Sequence, residues 1–251
     1  MIIINSWYGR TANNILQLIR AVHYAVLNNH NCIKMNKHYL LISTEIKLNY
    51  ENNNNKLIIS DNFFNLKKFN ILDPEPYKMK EYFQKFIKYI LKIEYKNKIN
   101  NNNELYIHFR GGDIFSNSPH KAYVQPPLSY YKNIINEYDY INLVCEDKSN
   151  PCINELLKLK NVKYFSNILE KDLSILSNVS NLVIGFTSFG FLLYLMNNNL
   201  KNLYIPKYFI NELPQGSWGN DIRVHIINLP NYIKVGEWKF NEEQRKLMIE
   251  Y

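Results

Sequence analysis

Three clusters of residues in this chain have the types and spacing that chemistry needs. The first is His108-Phe109-Arg110-Gly111-Gly112-Asp113. His108 and Arg110 lie two apart at the end of an apolar run, so on a strand both side chains share one face. Arg110 presents a planar fork matched to two phosphate oxygens. Gly111 and Gly112 let the backbone turn sharply and approach a ligand closely. Asp113 would orient the arginine or bind a hydroxyl; the plainer alternative is an Arg110–Asp113 ion pair closing an ordinary turn. The second cluster is Asp172 followed by the run from Leu182 through Gly185, Thr187, Ser188 and Phe189 to Gly190. Here a buried strand runs into small hydroxylated residues at a helix start. Thr187 and Ser188 would cap that helix, worth about 0.5–2 kcal/mol. The same geometry is also an anion site, because free N–H groups and the helix dipole attract phosphate. The third cluster, Gly9-Arg10-Thr11-Ala12-Asn13-Asn14-Ile15-Leu16-Gln17, is a glycine turn entering a helix. It is neither a dinucleotide fingerprint nor a phosphate loop with lysine. His120 and Tyr123 lie on a loop after the arginine motif, where they would touch a sugar or serve packing alone.

These clusters need elements to hold them. Ile2–Ile4 reads as a short buried strand, and apolar positions from Ile15 to Val26 recur at helical spacing. Weaker strand signals fall at Tyr39–Ser43 and Leu57–Ile59, and a long helical pattern covers Tyr77–Tyr95. The tract Asn100–Asn103 is the candidate domain boundary, giving an N-terminal lobe over 1–100 and a C-terminal lobe over 101–251. Beyond it the pattern is regular. Strands are expected at Glu104–Phe109, Tyr140–Cys145, Val162–Phe165, Asn181–Gly185 and Leu200–Ile205. Helices are expected at Leu128–Asn136, Cys152–Leu159, Leu169–Leu176 and Phe189–Met196, with a terminal helix over Asn241–Glu250. Short apolar strands alternating with helices imply an α/β protein with parallel sheets covered on both faces. Ligands of such sheets bind beyond the carboxyl ends of the strands. That rule selects the turns after Ile4, Phe109, Cys145, Gly185 and Ile205.

Composition bounds the alternatives. The chain has 251 residues and a formal net charge of +8, but its 30 basic residues are 25 Lys and only 5 Arg. Asn, Ile, Lys and Tyr, all with AT-rich codons, fill 115 positions, so the lysine excess reads as base composition. The lysines are scattered, and a nucleic-acid partner is not expected, although the charge favours anionic ligands. The three cysteines form no CxxC pair, which argues against a disulfide framework or a zinc site. The longest apolar run, Leu182–Met196, has 15 residues, short of the roughly 20 a membrane span needs. No secretory signal is visible, so the expectation is a soluble, cytoplasmic protein without a transmembrane segment.

Together the three clusters resemble the GT-B inverting fucosyltransferases, chiefly the α-1,2 type with its α-1,6 and protein O-fucosyltransferase relatives. The family's Gly-Arg-Leu-Gly-Asn-Gln-x-Phe-Gln is similar to Gly9–Gln17, with Ala12 in place of its second glycine and Asn14 in place of Gln. Its His-x-Arg-x-Gly-Asp matches His108, Arg110, Gly112 and Asp113, and a proline before Tyr-Tyr matches Pro127 with Tyr130-Tyr131. Its acid, helix, strand and hydroxyl pair match Asp172 to Ser188. The resemblance spans residues 2 to about 206. It implies two Rossmann-like lobes with a cleft between them, and a nucleotide-sugar donor, GDP-fucose first, with fucose passed to a glycan hydroxyl. It also implies donor binding by His108, Arg110, Gly111, Gly112, Asp172, Thr187, Ser188 and Phe189. Arg110 would hold the β-phosphate, and His108 and Asp172 the guanine. Gly9, Arg10, Asn13, His120 and Tyr123 would lie on the acceptor side or in the cleft. No cofactor and no metal are implied. Arg110 and Asp113 carry the catalytic expectation, Arg110 for the departing diphosphate and Asp113 as first candidate for general base. Other donors of the same fold class, GDP-mannose or a UDP- or dTDP-sugar, stay open, and the rival from a different class is a basic nucleic-acid-binding protein.

Overall fold

The structure is a computed structural model describing residues 1–48, 58–95 and 102–251. Two compact units share the chain. Unit 1 is Met1–Ile93 with Leu192–Met196 and Pro214–Gly219; unit 2 is Glu94–Phe191, Asn197–Leu213 and Asn220–Tyr251. The Asn100–Asn103 boundary candidate and the start of the Leu57–Ile59 strand fall partly outside the described residues.

In unit 1, β1 (Ile2–Ile4) feeds a turn and then α1 (Thr11–Leu27). Next come β2 (Cys32–Met35), β3 (Glu45–Lys47), β4 (Ile59–Asp61) and α2 (Pro76–Tyr82). The sheet order is β3-β2-β1-β4, with β1 parallel to both β2 and β4 and only β3 antiparallel. Ile15, Leu18, Ile19, Val22 and Ala25 bury one side of α1 at helical spacing, as the sequence predicts.

Two expectations fail here. The Tyr77–Tyr95 helix is not continuous: after α2 the chain widens to a π-helix over Phe83–Ile87, tightens to a 3-10 turn over Lys88–Ile90 and then runs extended. The widened turn buries Phe83 and Ile87, and Gln84 donates from its amide to the carbonyls of Leu195 and Met196 at 3.0 Å each. A local change of helical pitch is a common response to such competing contacts. The Tyr39–Ser43 strand shrinks to a single antiparallel bridge, Leu41 to Leu91, while the regular strands fall on either side, at β2 and β3.

In unit 2, β5 (Glu104–Phe109), α3 (Leu128–Ile135), β6 (Tyr140–Cys145), α4 (Pro151–Leu156), β7 (Val162–Phe165), α5 (Leu169–Leu176) and β8 (Asn181–Ile184) alternate regularly. There follow α6 (Ser188–Met196), whose residues from Leu192 on belong to unit 1, then β9 (Asn202–Pro206), α7 (Lys207–Ile210), β10 (Arg223–Ile227) and α8 (Glu242–Glu250). All six strands are parallel, in the order β10-β9-β8-β5-β6-β7. Counted within the unit this is 3-2-1-4-5-6 read from its far edge, the doubly wound dinucleotide-fold order. The α/β class with parallel sheets therefore holds.

On β5, Leu105, Ile107 and Phe109 join a buried cluster with α3, α4, α8 and Trp238. Period-2 alternation then sends His108 to the opposite face. Among the described residues, no helix is long and apolar enough to cross a membrane.

Candidate functional site

The order of the unit 2 sheet reverses between β5 and β8. Connections leaving those two strands go to opposite sides, and this opens a crevice at their carboxyl ends. The turn after β5 is Arg110-Gly111-Gly112, and the turn after β8 is Gly185-Phe186-Thr187 leading into α6. The two sharpest sequence clusters thus meet at the switch point. His108 is paired in register with Ile184, and its ring packs on Phe189 with centroids 4.7 Å apart.

Gly190 permits this approach, because a Cβ there would lie 2.9 Å from the Cβ of Ile184. Helix α6 therefore comes down close on β8, with its start beside the arginine turn. Thr187 is buried, and its hydroxyl accepts from the Phe189 N–H at 3.2 Å, so it caps the helix. Ser188 opens the helix and is half-buried.

His108 is only 8% exposed, and its Nδ1 has no hydrogen-bond partner. Burial, reinforced by the nearby Arg110 charge, pushes its pKa down to about 3, so the ring is neutral near pH 7. A buried, unpaired ring nitrogen costs free energy on its own. Arg110 donates from Nη2 to Asp113 Oδ1 at 2.6 Å, the ion pair that sequence allowed as the plain alternative. Among the described residues the rest of the Arg110 fork is unengaged. Asp113 sits on the solvent side of that pair, more than half exposed.

The glycine turn needs its glycines. Gly112 has φ +69, and its N–H donates to Ser149 Oγ at 3.1 Å. A Cβ at Gly111 would lie 2.7 Å from Asp147 Oδ1, and one at Gly112 would lie 3.4 Å from Glu146 Oε2. Glu146 and Asp147 follow β6, so two carboxylates border the turn. Sequence reading selected the turn after Cys145 by the strand-end rule but named no residue in it. The residues became visible only when β6 was placed beside β5.

The other candidates divide. Tyr123 packs edge-on to Phe186 at 5.9 Å and tilted to His120 at 5.0 Å. Between them, Gln125 donates to the carbonyls of Tyr123 and Phe186, and Tyr130 donates to the carbonyl of Ile184 at 3.0 Å. The 120–130 loop is thereby laced to the β8 turn, and His120 and Tyr123 come to it. Asp172 is held from another strand end, beyond β7. It lies on α5, accepts from Asn167 Nδ2 at 2.8 Å and acts electrostatically on Tyr164 of β7, as Asp147 does. Burial raises the pKa of Asp172, against the hydrogen bonds from Asn167 and the charge of Lys171.

Gly9, Arg10 and Asn13 belong to unit 1. Gly9 has φ +75 and lies directly over Asn13, whose side-chain amide a Cβ at that position would overlap. Arg10 is the exposed residue before α1. The neighbours of Asn13 hold this loop. Asn14 donates to the Tyr8 carbonyl at 3.0 Å. Gln17, fully buried, accepts from the Tyr8 N–H and donates to the carbonyls of Ser6 and Asn62.

Fold and site together define an α/β protein whose second unit has the doubly wound order and a cationic glycine turn at its switch point. No protein-family model matches the chain, and no curated protein matches it. Among solved structures, the ADP-heptose LPS heptosyltransferase II of E. coli is similar at a TM-score of 0.30 and 14% identity, over 59% of this chain and 45% of that one. The chain thus spans less than half the length of that structure, and a likeness of this degree adds nothing to what the residues themselves say.

Proposed function

We propose that this protein is a glycosyltransferase of the GT-B class that binds a nucleoside diphosphate sugar at the switch point of unit 2. The observation that carries the reading is the packing of His108 on Phe189, which sets the Arg110 turn beside the start of α6. A cation with unused N–H groups and a helix N-terminus then converge on one place, as a departing diphosphate requires. Glycosyl transfer builds oxocarbenium character on the sugar while negative charge grows on the leaving group. Arg110 and the N–H group of Ser188 at the start of α6 would stabilise that charge. Diphosphate entering the Arg110 fork would compete with Asp113, whose exposed carboxylate is the first candidate to take a proton from an acceptor hydroxyl. The Nδ1 of His108 would gain its missing partner from the nucleotide. Glu146 and Asp147 offer acceptors for ribose hydroxyls at the end of the neighbouring strand. The specific proposal is an inverting, metal-independent fucosyltransferase using GDP-fucose and a glycan acceptor; it is supported by the resemblance of the three sequence clusters.

Thermal unfolding with GDP, UDP and dTDP tests the reading. A ligand at 100 times its Kd adds about 2.7 kcal/mol to the stability of the folded state. GDP should raise the Tm of the wild type and leave Arg110→Ala, folded as before, unmoved. Equal response to all three nucleotides would remove the guanine preference. No response to any of them, or an undiminished response in Arg110→Ala, would remove the transferase reading.

A further inference from the structure

Unit 1 carries an open cavity of about 390 Å³, lined among others by Lys37, His38, Tyr39, Ile42, Thr44 and Lys92. It forms just past the carboxyl end of β2, where ligands of a parallel sheet are expected. Its scaffold is the short ladder between residues 40–42 and 90–92: the Ile42 N–H donates to the Ile90 carbonyl and the Lys92 N–H to the Leu40 carbonyl, both at 2.8 Å. The broken helix after α2 is what makes this ladder available, so the departure from helical geometry builds the cavity.

Its aromatic wall is rigid. His38 donates from Nε2 to Asn14 Oδ1 at 3.1 Å and accepts from the Leu40 N–H at Nδ1. Burial lowers its pKa, so it is a neutral, oriented ring. Tyr39 stacks on it with centroids 4.6 Å apart, and the Tyr39 hydroxyl is hydrogen-bonded to Thr11 Oγ1. Trp7 closes the far side of His38, edge-on at 5.3 Å. Tyr39 is nevertheless 56% exposed. A ring fixed at its back and at its tip, yet open to solvent, loses little entropy when a ligand covers it. Lys37 and Lys92 are exposed, and among the described residues neither makes an ion pair. Most other features of this surface are lysine background; here two unpaired ammonium groups share one cavity with a held aromatic face.

We propose that this cavity binds a saccharide bearing a negative charge, a phosphate or a carboxylate, with its ring against Tyr39 and its anion on Lys37 and Lys92. The aromatic face suits the apolar side of a sugar ring, the ammonium groups suit the anion, and Thr44 offers a hydroxyl partner. That this saccharide is the acceptor of the transfer rests on the function proposed above; its binding does not.

Ligand-observed NMR titration of the full chain at low ionic strength tests it, with mannose 6-phosphate, 3′-sialyllactose and lactose as probes. The two anionic probes distinguish phosphate from carboxylate, and at least one should bind about fivefold or more tightly than lactose. Exposed charge pairs are each worth up to about fivefold, so Lys37→Gln/Lys92→Gln should cost the anionic probe up to about 25-fold and leave lactose unchanged. Tyr39→Ala should weaken every probe that binds, while Tyr39→Phe, which keeps the ring and loses only the Thr11 bond, should retain binding. Equal affinity for lactose and both anionic sugars would overturn the proposal. So would binding of inorganic phosphate as tight as that of mannose 6-phosphate together with no effect of Tyr39→Ala, or no binding of any probe. The GDP response of the same variants keeps the two readings apart. A preserved GDP shift without saccharide binding sinks this inference alone, and saccharide binding without any nucleotide response sinks the transferase reading alone.

Discussion

Replacing His108 by Phe should flatten the acid side of the stability profile. The substitution keeps a ring against Phe189 and removes a buried titrating group with an unpaired Nδ1. The imidazole falls from its ordinary 6.5 to about 3, chiefly by burial and then by the charge of Arg110. The folded state thus holds the proton less tightly than the unfolded chain. The stability this contributes is complete above about pH 6.5 and is lost as pH falls toward 3. Linkage between those two values gives a loss of about 2 kcal/mol by pH 5 and about 3 kcal/mol by pH 4. Urea denaturation at pH 7.5 and pH 5 measures it: the wild type should lose about 2 kcal/mol more than His108→Phe between the two conditions. Burial also lowers His23, His30, His38 and His225, and it raises Asp172 with the opposite sign, but these are common to both proteins and cancel in the difference. Parallel profiles, agreeing within about 0.5 kcal/mol, would show that His108 is solvated or paired in solution and would withdraw it from the site.

Further substitutions probe the scaffold and the fork. Gly190→Ala puts a Cβ 2.9 Å from that of Ile184 and should cost about 1–3 kcal/mol in urea denaturation, with GDP affinity falling as α6 is pushed off β8. Gln17→Leu strands the Tyr8 N–H and the Ser6 and Asn62 carbonyls, and should lower stability by more than about 2 kcal/mol while leaving the GDP response of unit 2 in place. Arg110→Lys keeps the charge but not the planar fork, so GDP binding by calorimetry should be weakened about tenfold or more without a change in Tm of the free protein. Arg20→Ala removes a bidentate pair with Asp73 at 2.7 and 2.9 Å on a partly exposed surface, and should cost no more than about 1 kcal/mol.

The unit 2 elements were legible because its central strands are buried on both faces. Such strands read as unbroken apolar runs, and β5 and β6 fall on their expected residues. β10 escaped notice: Arg223 and His225 interrupt its apolar pattern, and its strand character comes from parallel pairing with the distant β9. Unit 1 was less legible for a similar reason. The 77–95 stretch has helical periodicity, yet Gln84 and the bridge from Leu41 to Leu91 are served by non-local partners that no periodicity encodes.

The site divides along the same line. Residue chemistry alone singled out Arg110, its two glycines and the Thr187-Ser188 helix start, because a fork, a φ above zero and a capping hydroxyl are local properties of the residues that supply them. Sequence also fixed the α/β class through the alternation of strand and helix periods. Only the tertiary structure decided which turns share a crevice. The reversal of strand order between β5 and β8 joined His108 to Phe189, and the placement of β6 beside β5 brought Glu146 and Asp147 to the glycine turn. Long-range pairing likewise assembled the Tyr39 cavity from segments some fifty residues apart. Strand order is set by contacts between residues remote along the chain, and no local property of either partner specifies it.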